Sequence, residues 1–248
     1  MEVHSHTHSI HKKWYHYFWE FFMLFLAVTL GFLVENRREH YTEHQREKEY
    51  ARLLYDDLKK DTAWLHRVIL VKKWKEGKMD SLLYYISQPD IQKNANQAYY
   101  YSSYLVLDVS FEPNDATIQQ LRSSGSLRYF TNLKLYNTIT QYYNDCAFYL
   151  EVERQRKADF PPDIRSALFD ANDFYSLSIP TPSILDVVHF PEKKMQLLTA
   201  DKQVINKFLH YVNNVKLNAE VSVMMLQTFV SDDINALMKA LKNEYHVE

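Results

Sequence analysis

The sequence predicts an all-α protein in which an N-terminal transmembrane helix continues into a stalk and an antiparallel helical bundle. Three observations carry that expectation. Apolar and aromatic side chains dominate residues 14–34, two long segments without Pro or Gly repeat apolar residues every three or four positions, and glycine is nearly absent, 3 in 248. An average chain of this length would hold roughly 17. Helices tolerate that composition, whereas tight hairpins and phosphate-cradling loops need glycine at positive φ or at close approach.

Residues 1–13 (MEVHSHTHSIHKK) lack periodicity and read as a flexible polar tail. Within it His4, His6, His8 and His11 alternate, and neutral imidazoles so spaced are candidate ligands for an incidental transition metal. Residues 14–35 are the membrane helix. Residues 21–34 hold no charge, and the 21 residues 14–34 at 1.5 Å each span roughly 30 Å, the thickness of a bilayer's hydrocarbon core. Trp14, Tyr17 and Trp19 stand where an interfacial aromatic belt belongs. Glu20 lies one to two turns inside the span, four residues after His16, so it either pairs with that histidine or serves an oligomer contact or ion path. A cleaved signal peptide fits less well, since no A-x-A-like site follows the apolar run. Lys12 and Lys13 precede the span and Arg37, Arg38, Arg46, Lys48 and Arg52 follow it, a bias that points the C-terminal part to the cytoplasm. Interleaved Glu35, Glu39, Glu43 and Glu47 leave the side open.

Residues 36–75 are the stalk and first bundle helix. Its beginning, residues 37–49, is polar on every face, which suits a solvated rod or one held by partner helices. Tyr50, Leu54, Leu58, Leu65 and Ile69 then set an apolar stripe. Residues 76–248 form the bundle domain. Glu76-Gly77-Lys78 breaks the first helix, and a short one follows at 79–87, ending at Gln88-Pro89-Asp90. The Tyr-rich stretch 98–109 is read as helix, with strand as the competing assignment. Asn114 or Asp115 caps a helix at 116–123, and Ser123-Ser124-Gly125-Ser126 supplies a sharp corner. A helix from Thr131 or Asn132 reaches residue 158. Residues 160–191, with five of the seven prolines, make a long excursion that holds a helical piece at 164–169. Residues 201–245 form one long amphipathic helix with a break near Ser231-Asp232.

Several local patterns stand out together: Trp19-Glu20-Phe21 in the span, Glu35-Asn36-Arg37-Arg38, Gln45-Arg46-Glu47-Lys48-Glu49-Tyr50, and Asp56-Asp57-Leu58-Lys59-Lys60-Asp61. Further on come Leu121-Arg122-Ser123-Ser124-Gly125-Ser126-Leu127, Leu133-Lys134-Leu135-Tyr136 and Tyr142-Tyr143-Asn144. The chain resembles a bacterial family of single-pass membrane proteins of unknown function, over most of its length. The resemblance implies a membrane-tethered helical domain on the periplasmic side of a Gram-negative inner membrane, and implies no activity.

Gly31, Gly77 and Gly125 are too dispersed for a P-loop, a dinucleotide fingerprint or a nucleophile elbow. A single cysteine, Cys146, excludes an internal disulfide, a Cys-rich zinc site and an iron–sulfur cluster, and its place inside a helix reads as an inert thiol. A net charge of −2 without long like-charge runs argues against nucleic acid as a partner. His40-Tyr41-Thr42-Glu43-His44 matches H-x-x-E-H, in which His40 and His44 would bind zinc and Glu43 would act as base. The stretch is too polar for an enclosed cleft, so a solvated helix face is the favoured reading. The tyrosines of 99–101 and 142–143 read as packing. The expectation is a non-enzymatic membrane-anchored scaffold or sensor without a cofactor, a homo-oligomer or the partner of another membrane protein. An accessory subunit of a larger complex and a zinc-dependent peptidase are the alternatives.

Overall fold

The computed structural model describes residues 14–158, 164–177 and 188–247. The His4, His6, His8 tail and Pro161, Pro162, Pro180 and Pro182 lie outside them. Among the described residues the chain is helical, with no strand beyond an isolated bridge at Val188. The helices are α1 (Trp14–Ile86), α2 (Ala95–Ser102), α3 (Ala116–Ser123), α4 (Leu133–Ala158), α5 (Ala171–Leu177), α6 (Lys202–Met225) and α7 (Ser231–Tyr245). The chain divides into two compact units, Met1–Tyr50 and Ala51–Glu248.

In the first unit the described residues belong to α1. This helix is long and apolar enough to cross a membrane, and no residue of its apolar window is buried within the protein. Its rings stack along the helix at i,i+4, as in Trp14–Phe18 and Phe18–Phe22.

The second unit corrects the break expected at residues 76–78. Helix α1 runs straight through Gly77, which is exposed, and continues to Ile86. A helical glycine costs only about 1 kcal/mol relative to alanine. Leu65, Val68, Met79, Leu82 and Ile86 are all buried on one stripe, and that burial outweighs the glycine.

The Tyr-rich stretch is helical but ends earlier than expected. Helix α2 is preceded by a 3₁₀ turn at Ile91–Asn94 and followed by another at Ser103–Val106. Helix α3 matches its expected bounds, and Gly125 beyond it adopts φ +68°, where a side chain would be strained. Asn132 caps α4, its Oδ1 accepting the N–H groups of Lys134 (3.1 Å) and Leu135 (3.3 Å).

The helical piece expected at 164–169 is a turn, with the helix displaced to α5. Leu168 and Phe169 are fully buried there. A segment without regular secondary structure after it, residues 191–197, has backbone groups satisfied by side chains. Asn96 Nδ2 donates to the carbonyls of Pro191 (3.1 Å) and Lys193 (2.9 Å), and Asn96 Oδ1 accepts from Met195 N (2.8 Å). Gln92 does the same for both backbone groups of Leu197. Buried peptide groups need such partners, and in this segment the two amide side chains supply them together with Tyr99 Oη, which donates to the Gln196 carbonyl (3.2 Å).

The last segment is helical almost throughout. A π turn at Leu226–Val230 separates α6 from α7, ending one residue before the expected break. Leu226, Val230 and Ile234 are buried at successive spacings of four, which a wide π turn keeps on one face. Helix α4 packs against α7 and α6. Thr62 Oγ1 on α1 contacts Met238 Sδ on α7 at 3.8 Å, and Tyr149 on α4 bonds Ser222 on α6 at 3.2 Å.

Between α4 and α7, Asp233 faces Asp145, and partial burial followed by that second carboxylate pushes the Asp233 carboxyl up to about 7. The folded pair therefore keeps a proton that an unfolded aspartate releases near pH 4. Stability is present in acid and is lost as pH rises from about 4 to about 7. Asp233→Asn is expected to flatten that slope and raise the melting temperature at pH 8, with little change at pH 4. Thermal unfolding at the two pH values checks it.

Candidate functional site

The sequence-nominated residues on the first part of α1 are solvated. His40 Nδ1 lies 3.9 Å from Glu43 Oε2, and His44 Nδ1 lies 3.0 Å from Glu47 Oε2. Each imidazole thus faces a carboxylate three residues on, the ordinary neighbour on a helix surface. Among the described residues no group of three or more His, Cys, Asp or Glu side chains is gathered to hold a metal, so His40, Glu43 and His44 have no third ligand there. Trp14, Tyr17 and Trp19 are exposed, Trp14 at 82%. His16 Nε2 lies 3.5 Å from Glu20 Oε1, the i,i+4 pairing open to that carboxylate.

Deeper in the second unit, α1 and α4 meet at a buried polar cluster. Asp61, 2% exposed, accepts from Tyr142 Oη (2.6 Å) and from the backbone N–H of Asn114 (2.8 Å). Asp57 accepts from Thr117 Oγ1 (2.5 Å) and pairs with Lys60 (3.2 Å). Burial raises the Asp61 carboxyl, opposed by the Tyr142 hydrogen bond. Burial also keeps the Tyr142 and Tyr143 phenols protonated and pushes the Cys146 thiol up to about 12. A thiol so poised is no nucleophile at neutral pH. The cluster joins α1 to α4, to the loop before α3 and to α3 itself.

A site with room for a ligand and a buried ion pair beside it lies further along α1 and was not legible as a motif. Lys72 and Lys75 are buried on α1, and Glu153 is buried opposite them on α4. Lys72 Nζ lies 2.9 Å from Glu153 Oε2 and 3.7 Å from Asp108 Oδ1, so one ammonium bridges two carboxylates. These groups border a cavity of about 270 Å³ that Arg156 of α4, Leu105, Val106 and four residues of α6 complete. A second cavity of about 180 Å³ adjoins the same two lysines and is walled by Trp64, Trp74 and Leu107. Arg156 Nη1 is shut off from solvent and has no hydrogen-bond partner among the described residues. Tyr211, also on the lining, has its phenol raised by burial and therefore presents a protonated hydroxyl.

A signal for these residues existed in the spacing. On α1 the buried stripe runs Leu65, Val68, Lys72, Lys75, Met79, Leu82, and on α4 it runs Tyr142, Cys146, Tyr149, Glu153, with Arg156 next. Charged residues occupy positions where the repeat calls for apolar ones. Buried charges need partners, and where a cavity adjoins them they also mark a functional site.

Compared with models of known families, with curated proteins and with solved structures, the chain matches none.

Proposed function

We propose that this chain is a single-pass, membrane-anchored helical sensor or scaffold that acts by binding and by protein–protein contact, not by catalysis. In this reading residues 14–35 cross the bilayer, residues 36–75 form the stalk, and the helices of the second unit pack as an antiparallel bundle. The observation that carries it is that one helix, α1, bears both the apolar membrane-length segment and the two buried lysines of the ionic cavity. A ligand in that cavity would engage the same element that anchors the protein. The all-polar face of residues 37–49 supports self-association or a membrane-protein partner, because an isolated helix of that composition gains little from packing. The resemblance noted above favours the bacterial inner membrane with the helical domain in the periplasm.

The test is the mass of the full-length protein, extracted from native membranes in mild detergent, by multi-angle light scattering with mass spectrometry of what accompanies it. A homo-oligomer is the expected result. Stoichiometric foreign chains would make it an accessory subunit instead, and a bare monomer would overturn the oligomeric part of the reading. Bound zinc at one equivalent, lost in His44→Ala, would favour the peptidase alternative.

A further inference from the structure

We infer that a second cavity, between α4 and the π turn that separates α6 from α7, is a binding site for a small organic monoammonium ion. It is separate from the lysine-bordered cavity and goes beyond the reading above. Its volume is about 270 Å³. Charge comes first. Among the described residues Asp145 is the one charged group on its lining. Asp233 faces Asp145 from α7 with Asp232 beside it, and among the described residues no lysine, arginine or histidine pairs with Asp145 or Asp233. Partial burial followed by the Asp145 carboxylate holds the Asp233 carboxyl up at about 7, the mark of like charges brought together without a counter-ion. An ammonium beside Asp145 supplies the missing charge, and an anion there would be repelled.

Hydrogen bonding and the walls narrow the class. Gln141 also lines the cavity, and its Nε2 already donates to Asp233 Oδ1 (3.3 Å), which leaves its carbonyl oxygen as a second acceptor for N–H groups. A hard divalent cation takes about six or more oxygen ligands, whereas this lining offers one carboxylate and one amide. The rest is apolar. Phe148 and Phe229 are 61% and 51% exposed at the cavity, so both rings are open to an occupant, with Met225 and the Tyr149 ring completing the wall. Aromatic faces attract organic cations, and rings and a thioether suit the hydrocarbon part of the same molecule.

Size narrows it again. At about 270 Å³ the cavity lies just under the usual range of roughly 300–1,000 Å³ for drug-sized ligands, so the ligand is small. The class is therefore a primary ammonium ion carrying one short alkyl chain or one ring. Its N–H groups donate to Asp145 and Gln141, and its carbon part lies against Phe148 and Phe229.

The experiment is isothermal titration of the full-length protein, in a non-ionic detergent at pH 8, with butylammonium and phenethylammonium. 1-Butanol, butyrate and calcium chloride are titrated in parallel, each against detergent alone, and melting temperature is the second readout. The ammonium ions are expected to bind about tenfold or more tightly than butanol, because a charge-assisted hydrogen bond to Asp145 is open only to them. Asp145→Asn should lose about tenfold or more in ammonium affinity and leave butanol unchanged. Its ligand-free melting temperature should hold or rise, because the substitution removes the repulsion with Asp233. Phe148→Ala truncates an exposed ring and should weaken ammonium binding by about two- to fivefold in a protein that still folds. If butanol matches butylammonium, or Asp145→Asn leaves ammonium affinity intact, the cavity takes apolar molecules at large and the ligand class is wrong. If calcium or butyrate binds more tightly than either amine, the class is likewise overturned. If no amine binds at about 10 mM, this cavity is no receptor site and the inference falls. The oligomer measurement above is independent of each outcome, so failure here leaves the membrane-anchored reading standing.

Discussion

Lys72→Met is expected to destabilise the protein by about 3–5 kcal/mol, the usual cost of stripping one partner from a buried ion pair. For a chain of this length that is a fall in melting temperature on the order of 10 °C. Lys72 is 4% exposed and is the ion-pair partner of Glu153, which is itself buried, so the variant strips a buried carboxylate of that partner. The variant Lys72→Met/Glu153→Leu provides the control. Removing both charges should restore most of the loss, because two buried ions replaced by apolar groups of similar size are often no less stable than the pair. If the double variant is as unstable as Lys72→Met alone, the pair is not the source of the effect. Thermal unfolding in one detergent measures all three proteins.

Asp61→Ala should cost roughly 3 kcal/mol, from two donors left without an acceptor and a small void. The Tyr142 hydroxyl and the Asn114 N–H both end on this carboxylate, and the loop before α3 is tied to α1 through it. Asp61→Asn retains an acceptor for the N–H and should cost about 1 kcal/mol. The pair also differs in pH response. Burial raises the Asp61 carboxyl, so the folded state binds a proton more tightly than the unfolded chain does. Its contribution is present at low pH and lost as pH rises from the ordinary carboxylate range through the raised value. Asp61→Asn should lack that component when measured in the Asp233→Asn background, which removes the other carboxylate of the same sign. An unchanged slope would assign the pH dependence elsewhere.

Helical class was legible from the start, because Pro- and Gly-free segments with apolar residues every three or four positions have few other ways to bury them. The bounds of α3 and the Asn132 start of α4 were legible for a local reason: a corner glycine at positive φ and an Asn cap depend on immediate neighbours. The mistaken break at Gly77 and the misplaced helix near residues 164–169 fail for the opposite reason. Whether α1 continues depends on Met79, Leu82 and Ile86 finding a core made by α2, the Leu168–Phe169 turn and α6. Local propensity cannot weigh a contact between residues more than a hundred positions apart.

The candidate site divides the same way. H-x-x-E-H is a pattern of adjacent letters and was easy to find, yet on the helix its exposed histidines pair with the glutamates three residues on, Glu43 and the buried Glu47. Lys72, Lys75, Glu153 and Arg156 form no motif, and read singly they are ordinary surface charges. The sequence by itself determined that the chain is helical, that its N-terminal part is apolar over a membrane's thickness, and that its three glycines are too dispersed to form a phosphate-cradling loop. Each of these follows from composition and short-range spacing. Only the tertiary structure decided that α1 and α4 turn their charged stripe positions toward one another across a cavity. Burial is a property of the partner surface, and no residue carries it alone.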